Sequence, residues 1–206
     1  GEVFGFLGPN GAGKTTTVRM LSTLIAPTDG TARIGELELG RDNREIRRRI
    51  GVLTETPGLY RRLSARDNLR FFARLHGVPN PDAEVEKQLR LFELWDRRDD
   101  LVGPFSKGMR QKVGIAIALA KGARALIMDE PLSGLDPRAA NEFTDLLRDV
   151  AEGGVAALMA THDVFRAKEI GSHIGIMKQG RLVDYFPTGD KAHADIENLY
   201  LQHMHD

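Results

Sequence analysis

Short apolar segments alternate with longer amphipathic segments along this chain, and the alternation predicts an α/β fold. Runs of four to six apolar residues that end at glycine, proline or acidic residues are typical of buried strands in a parallel sheet. The predicted central strands cover residues 2–7, 50–54, 125–128 and 155–160. Helical spacing of apolar positions predicts helices over residues 14–25, 137–152 and 192–204. The pattern therefore favours a mostly parallel sheet covered by helices.

Two regions depart from this rhythm. Residues 31–39 and 174–186 alternate apolar and polar positions around glycine-containing turns, which predicts antiparallel hairpins. Residues 64–77, from 80 onward, and 105–120 predict consecutive helices with no strand between them. We therefore expect one domain over residues 1–206. Its core would comprise 1–56 and 123–206, with a small antiparallel β subdomain, and 57–122 would be a helical insertion.

The amino-acid composition limits the kinds of partner that this chain is expected to bind. The 206 residues are 41% hydrophobic, enough for one substantial core, and 29 basic residues balance 29 acidic ones. No overall basic field draws the chain to nucleic acid, so no nucleic-acid partner is expected. The chain contains no cysteine, which excludes disulfides and thiolate metal sites and suits a reducing cytoplasm. No apolar run approaches the roughly 18 residues of a membrane span.

The sequence GPNGAGKTT at residues 8–16, here called the phosphate loop, carries the clearest chemistry. It fits the pattern G-x-x-x-x-G-K-[ST] and lies between a predicted strand and a predicted helix, where backbone N–H groups and the helix dipole can hold phosphate oxygens. Lys14 is predicted to reach the β- and γ-phosphates, and the Thr15 hydroxyl to bind Mg²⁺. The alternative is a glycine-rich turn. The predicted phosphate-binding residues are Asn10, Gly11, Ala12, Gly13, Lys14, Thr15 and Thr16.

Polar residues end two of the predicted central strands. Asp129 and Glu130 follow an apolar strand, and in a phosphate-loop protein the first would hold the Mg²⁺ shell while the second polarises a water for attack on the γ-phosphate. His162 ends the next strand and is a candidate γ-phosphate contact, because ligands of open α/β sheets collect at these strand ends. The predicted catalytic residues are thus Glu130, His162 and Lys14. The structural alternatives are a capped strand end for the acids and a structural histidine.

A further helix starts at Ser106, which fits an N-cap. The hydroxyl and the exposed N–H groups at such a helix start can also face an anion, although taken alone the segment is weakly diagnostic.

The order of these motifs resembles the nucleotide-binding domain of ABC transporters, and within them bacterial exporters whose ATPase is a separate polypeptide. The matching elements are the phosphate loop, FSKGM at 105–109 (the signature segment), IMDEP at 127–131, SGLD at 133–136 and His162. The resemblance implies an ATPase that uses ATP and Mg²⁺ to power transport.

The same resemblance implies partners. ATP would lie between two such domains, expected to be two copies of this chain, with Ser106, Lys107, Gly108 and Met109 facing the partner's nucleotide. The turn of Ser133, Gly134, Leu135 and Asp136 would face the dimer. A separate membrane-spanning permease subunit would hold the ATPase at the cytoplasmic face of the cell membrane, with a docking surface around residues 55–68.

Three departures from the family pattern affect these expectations. Glu55 stands where the family usually has glutamine, which keeps an oxygen ligand and leads to a predicted metal set of Thr15, Asp129 and Glu55. Lys107 and Met109 replace glycine and glutamine of the commonest signature. The family's first strands and its adenine-stacking aromatic residue would lie before Gly1, so the β subdomain is expected to be N-terminally truncated here.

Other functions share this ATPase head. A DNA-repair or chromosome-organising ATPase would separate the phosphate loop from the signature segment by a long coiled coil, and residues 16–104 show no sustained heptads. A ribosome-acting protein would normally carry two cassettes in one chain. A regulatory module that hardly hydrolyses ATP is disfavoured by Glu130 and His162. A soluble ATPase acting on DNA or ribosomes remains the alternative to transport.

Overall fold

The computed structural model describes residues 1–189 and 191–205. Its strands are β1 (Val3–Leu7), β2 (Arg33–Ile34), β3 (Leu37–Glu38), β4 (Ile50–Leu53), β5 (Ala125–Asp129), β6 (Ala156–Thr161), β7 (His173–Lys178) and β8 (Arg181–Pro187). Its α-helices are α1 (Lys14–Leu21), α2 (Asn43–Arg49), α3 (Ala65–Leu75), α4 (Pro81–Leu91), α5 (Lys107–Ala120), α6 (Pro137–Glu152), α7 (Val164–Ile170) and α8 (His193–His205), and a 3₁₀ turn spans Trp95–Arg97.

Six of these strands form one sheet in the order β4-β5-β6-β1-β7-β8. The first five are parallel, and β8 runs antiparallel to β7 at the edge. Strands β2 and β3 form a separate antiparallel pair around the turn at Gly35. The predicted α/β class with a mostly parallel sheet is confirmed, as are both predicted hairpins.

Alternation along the central strands divides the core between the two faces of the sheet. In β5, Leu126 and Met128 pack with the helices of the insertion and α6, whereas Ile127 points to the other face and packs with Val18 and Ile46. This two-residue period is what a strand buried on both faces requires. A third cluster joins β7 to α7 and α8. Because helices cover both faces, the functional surface is left to the ends of the strands.

Helix α5 lies unusually close to β4, and small residues permit the approach. A Cβ at Gly51 would overlap the Ala118 side chain of α5, and a Cβ at Gly114 would lie 2.5 Å from Leu53 Cδ1. The side chains that do meet there are fully or nearly fully buried. The contact fixes α5 against the sheet, and with it the signature segment at the start of the helix.

The helices of the predicted insertion begin where the sequence indicates. Ser64 caps α3 by accepting a hydrogen bond from the Asp67 amide at 3.0 Å, and its own hydroxyl donates to the Asp67 carboxylate at 2.8 Å. Pro81 occupies the first turn of α4. The helices α3, α4 and α5 contact one another extensively, and the division of the chain at residues 57 and 122 remains a prediction.

The predicted helix over residues 14–25 is wrong at its end, because α1 stops at Leu21. Thr23 adopts the left-handed conformation with φ of 60°, the Thr23 amide donates to the Met20 carbonyl, and the Leu24 amide donates to the Arg19 carbonyl. This pair of bonds is a Schellman motif, which satisfies the last carbonyls and ends a helix. Leu24 and Ile25 are consequently exposed and do not extend the apolar face.

Within residues 1–189 and 191–205, the helices lack the combination of length and apolar composition that crossing a bilayer requires.

The close packing of α5 on β4 makes a stability prediction. Gly51→Ala should lower the free energy of unfolding by about 1–3 kcal/mol, because the added methyl group has no space against Ala118. Gly58→Ala is the matched control: nothing lies within 4 Å of its added Cβ, so the change should stay within about 0.5 kcal/mol. Urea denaturation measures both variants. Equal stability of the two variants would contradict this account of the interface.

Candidate functional site

Parallel pairing brings the phosphate loop beside two other strand ends. The loop follows β1, whose neighbour β6 ends at Thr161, and the Gly8 amide donates to the Thr161 carbonyl at 3.2 Å. On the other side, the Gly180 amide in the β7–β8 turn donates to the Ala12 carbonyl at 2.8 Å. Hydrogen bonds therefore hold the loop at Gly8 and at Ala12, and they keep its amides in one arrangement.

Glycines shape the phosphate loop for two different reasons. Gly11 and Gly13 have φ of 80° and 102°, the left-handed region that residues with a side chain rarely adopt. Gly8 has no positive φ; a Cβ there would lie 2.5 Å from the Met177 carbonyl oxygen, so close approach to β7 is what requires glycine. The resulting cleft of about 200 Å³ is lined by Glu130 and by residues 9–16, which include all the predicted phosphate-binding residues.

Lys14 is the buried charge of this cleft, with only 6% of its surface exposed. Its Nζ donates to the carbonyl oxygens of Gly8 at 2.6 Å and Pro9 at 3.1 Å, and lies 3.8 Å from Glu130 Oε1. Burial lowers the pKa of Lys14, while Glu130 and Asp129 act in the opposite direction. A buried ammonium group held by the backbone of this loop suits the charge of a polyphosphate.

Glu130 has an unusual backbone and a well-defined side chain. Its φ is 49°, which is rare for a residue with a side chain and concentrates at functional sites. Oε1 lies 2.9 Å from His162 Nδ1, and the Thr161 hydroxyl donates to Oε2 at 3.3 Å. The structure thus brings together all three predicted catalytic residues, since Glu130 contacts Lys14 and His162. A carboxylate oriented by two neighbours can orient a water molecule in turn.

The residues predicted to hold Mg²⁺ fit that ion in part. Asp129 Oδ1 is buried without a hydrogen-bond partner, which is an uncompensated cost unless a cation or water satisfies it. Thr15 is exposed at the start of α1. No cluster of three or more His, Cys, Asp or Glu side chains able to hold a metal occurs among the described residues. Magnesium sites beside phosphates typically use only one or two carboxylates, so the donor set at Thr15 and Asp129 is compatible with the ion.

The Glu55 carboxylate has partners outside the predicted metal set. Its Oε1 accepts from Lys107 Nζ at 3.2 Å and from the Ser133 hydroxyl at 3.1 Å. It follows β4, which is three strands from β1, or roughly 14 Å at about 4.8 Å per strand. The hydrogen bond from Lys107 holds the pKa of Glu55 below its usual range, assisted by Ser133. In the structure, the Glu55 carboxylate therefore contacts the signature segment and the turn at Ser133, and its place in the metal set stays a prediction.

The signature segment lies apart from the chain's own phosphate cleft. Ser106 caps α5 by accepting from the Met109 amide at 3.2 Å, so the predicted N-cap is confirmed and its hydroxyl remains exposed. A Cβ at Gly108 would lie 3.2 Å from Ala139 Cβ at the start of α6, so glycine permits this packing. Met109 Sδ lies 3.7 Å from Arg97 Nη1.

The turn at residues 133–136 borders a second cleft of about 290 Å³, which extends from Glu130 to the start of α7. Gly134 has φ of 65°, and Asp136 caps α6 by accepting from the Ala139 amide at 3.0 Å. Leu132, Leu135 and His162 also line this cleft. The turn is thus adjacent to the Glu130 carboxylate.

Two contributing residues were not predicted. Thr161 orients Glu130, and its position as a hydroxyl at the end of an apolar strand was the available signal. Gln111 is fully buried in α5, and its Nε2 donates to the carbonyls of Glu55 at 3.1 Å and Thr54 at 3.4 Å. A buried glutamine beside an otherwise apolar run was its signal.

The chain is similar in sequence to known ATP-binding proteins of transporters. The family model described as ABC transporter matches residues 1–133. The chain is 40% identical over 188 residues to the bacitracin transport ATP-binding protein BcrA of Bacillus licheniformis, covering 91% of this chain and 61% of that protein. It is 38% identical over 194 residues to the daunorubicin resistance ATP-binding protein DrrA2 of Streptomyces coeruleorubidus, covering 93% and 60%. The chain thus spans about three fifths of the length of these relatives.

A solved structure has the same fold. It is the dimeric structure of a post-hydrolysis state of the ATP-binding cassette MJ0796 bound to ADP and Pi, and it aligns with a TM-score of 0.80 at 25% identity. The alignment covers 92% of this chain and 87% of that chain.

The buried ammonium makes a binding prediction. ATP with Mg²⁺ at about 100 times its Kd should stabilise the parent chain by about 2.7 kcal/mol. Lys14→Ala should lose most of this ligand-dependent shift. Lys112→Ala should keep it, because Lys112 pairs with Glu142 outside the cleft. Thermal unfolding with and without ligand measures the shift independently of any change in basal stability. An undiminished shift in Lys14→Ala would contradict the assignment.

Proposed function

This chain belongs to the ABC transporter family, and we propose that it binds and hydrolyses ATP to power transport through a separate membrane-spanning permease subunit. The observation that carries the proposal is the contact of Glu130 with both His162 and Lys14 at the mouth of the phosphate cleft. The names of the related bacitracin and daunorubicin proteins support export as the direction.

The proposed binding step uses the phosphate loop. Amides of residues 10–16 and the Lys14 ammonium hold the β- and γ-phosphates of ATP, and loss of phosphate solvation is offset by these fixed donors. The Thr15 hydroxyl and Asp129 Oδ1 would hold Mg²⁺, which when bound neutralises charge on the phosphates. The buried, unpartnered Oδ1 supports this role for Asp129.

In the proposed hydrolytic step, Glu130 orients the attacking water and accepts its proton. His162 contacts the γ-phosphate and, with Thr161, holds the Glu130 carboxylate in one orientation. Fixing the base in this way removes orientational freedom before the reaction, which is a main source of rate enhancement in phosphoryl transfer.

The proposed assembly contains two copies of the chain. In each, Ser106 and its neighbours at 107–109 serve the nucleotide of the other copy, and the turn at 133–136 lies between the two sites. The exposed Ser106 hydroxyl and the distance of the signature segment from its own cleft support this arrangement. The related ATP-binding cassette whose structure is a dimer bound to ADP and Pi supports it as well.

The proposed permease contact lies on the helical insertion. Tyr60, Phe71 and Leu75 are 50%, 41% and 65% exposed, and the first two rings contact each other edge to face at 4.9 Å between centroids. This exposed apolar cluster directly follows the loop that carries Glu55. Aromatic clusters of this kind are common anchors of protein interfaces. A docked permease would hold the chain peripherally at the cytoplasmic face of the membrane.

The catalytic assignment makes a prediction for Glu130→Gln. Turnover should fall by about a hundred- to ten-thousandfold, because the amide cannot accept the water's proton. ATP should still bind, and the two-copy assembly should persist because hydrolysis is what reopens it. Steady-state phosphate release and size-exclusion chromatography with ATP measure these effects. Asp129→Asn should instead weaken the Mg²⁺ dependence of ATP binding. Turnover of Glu130→Gln within a few-fold of the parent would exclude Glu130 as the base.

The docking assignment makes a separate prediction. Phe71→Ser should weaken binding to the partner permease by roughly thirtyfold, as expected for an interface anchor worth about 2 kcal/mol. Leu91→Ser is the control, because Leu91 is 53% exposed on the same insertion but lies at the end of α4. Affinity in detergent and ATPase activity of the free chain are the two measurements. Equal losses in both variants would place the contact elsewhere.

A further inference from the structure

Three segments that are distant in sequence meet at the Glu55 carboxylate. Oε1 accepts from Lys107 Nζ in the signature segment at 3.2 Å and from the Ser133 hydroxyl at 3.1 Å. Lys107 is 24% exposed and Glu55 is 58% exposed, so the pair lies at the surface with the lysine partly covered. The loop after β4, the start of α5 and the turn after β5 are thereby joined at one oxygen atom.

A second, partly buried contact reinforces the junction. Gln111 lies four residues after Lys107, on the same face of α5, and its Nε2 donates to the Glu55 carbonyl at 3.1 Å. The first two turns of α5 therefore hold residue 55 twice, by its backbone through Gln111 and by its carboxylate through Lys107. The hydrogen bond from Gln111 fixes the backbone of the loop at residue 55. The carboxylate of Glu55 then connects this loop to Lys107 and to the turn at Ser133.

The lysine lies against the turn at Ser133. Gly134 is exposed, and a Cβ there would lie 3.5 Å from Lys107 Nζ. Gly108, the residue after Lys107 in the helix, packs against the start of α6. The ammonium thus lies over the turn and beside the helix start whose Ser106 hydroxyl is exposed.

Residues 55 and 107 carry opposite charges, and these charges contact each other at 3.2 Å. A lysine beside Ser106 without Glu55 would leave its long side chain free to sample many rotamers at the helix start. The pair replaces that freedom with one orientation.

We propose that Glu55 and Lys107 are positioning residues, forming a charge link that fixes Ser106 and the Ser133 turn relative to the loop leading to Tyr60. The inference rests on the proposed function, because Ser106 serves a second nucleotide only in the two-copy assembly. Through this link, movement of the permease contact surface changes the position of the signature segment. The link acts on assembly-dependent turnover and leaves nucleotide binding by a single chain unchanged.

A double-mutant cycle tests the link. Glu55→Gln and Lys107→Gln should each lower kcat by about two- to fivefold, the range expected for a partly exposed ion pair. The combined variant should be no slower than either single one, and the charge-swapped variant, Glu55→Lys with Lys107→Glu, should recover kcat to within about twofold. ATP affinity measured at low protein concentration should not change in any variant. The coupling should vanish in about 1 M salt, where the screening length is about 3 Å.

The control pair is Lys112 and Glu142. It has the same N–O distance of 3.2 Å and uses the same helix, α5, but links it to α6 without contacting the loop after β4. Lys112→Gln and Glu142→Gln should leave kcat and its salt dependence unchanged. A similar loss in these variants would show that any charge removed from α5 has the effect, which would overturn the proposal.

Hydrogen exchange provides a readout that does not need activity. Amides of residues 54–58 and 106–109 should exchange faster in both single variants, return to the parent rate in the charge-swapped variant and stay unchanged in the control pair. A parent chain without ATPase activity would refute the proposed function, while the exchange pattern would still decide the link. The charge link would be overturned if the amides of the charge-swapped variant exchanged as fast as those of the single variants. It would also be overturned if the kcat of the charge-swapped variant were as low as theirs.

Discussion

Burial of the Lys14 ammonium is the constraint on which the rest of the site depends. An isolated buried charge is costly, so the ammonium must have partners within the protein. Two of them are carbonyls of its own loop, and the third is Glu130 at the end of a strand two positions away in the sheet. The lysine therefore connects the phosphate loop to the Glu130 carboxylate, and the parallel sheet brings the two together.

The strained backbone of Glu130 and the fixed orientation of its side chain both depend on contacts with the end of β6. A positive φ in a residue with a side chain costs of order 1–3 kcal/mol, and surrounding contacts must maintain it. Here the Glu130 amide donates to the Ala160 carbonyl at 2.9 Å, and its carboxylate meets Thr161 and His162. All of these partners come from the end of β6. The strand that supplies the histidine thus also stabilises the backbone turn that aims the carboxylate at the cleft.

Local signals made most of the fold and much of the site predictable. The phosphate loop, the cap at Ser106 and the acidic strand end each depend on a few consecutive residues, and the structure contains them where expected. The end of α1 was missed because a left-handed threonine closes it, and threonine carries no strong signal for that conformation. The partners of Glu55 could not be predicted, since they lie 52 and 78 residues away and depend on how α5 packs.

The Glu55 junction shows why stability is a poor measure of such contacts. An ion pair with one partner more than half exposed contributes at most about 1 kcal/mol, because water screens it and ordering two long side chains costs entropy. Position is a different quantity. A 1 Å displacement of a group that must meet phosphate can cost about a hundredfold in rate. The hydrogen bond from Gln111 already fixes the backbone of the loop after β4. The remaining conformational freedom at this junction therefore lies in the side chains of Lys107 and Ser133. One carboxylate oxygen that accepts from both restricts that freedom at little cost to the folded state, and it does so at the only place where the loop after β4, the signature segment and the turn at Ser133 share an atom among the described hydrogen bonds.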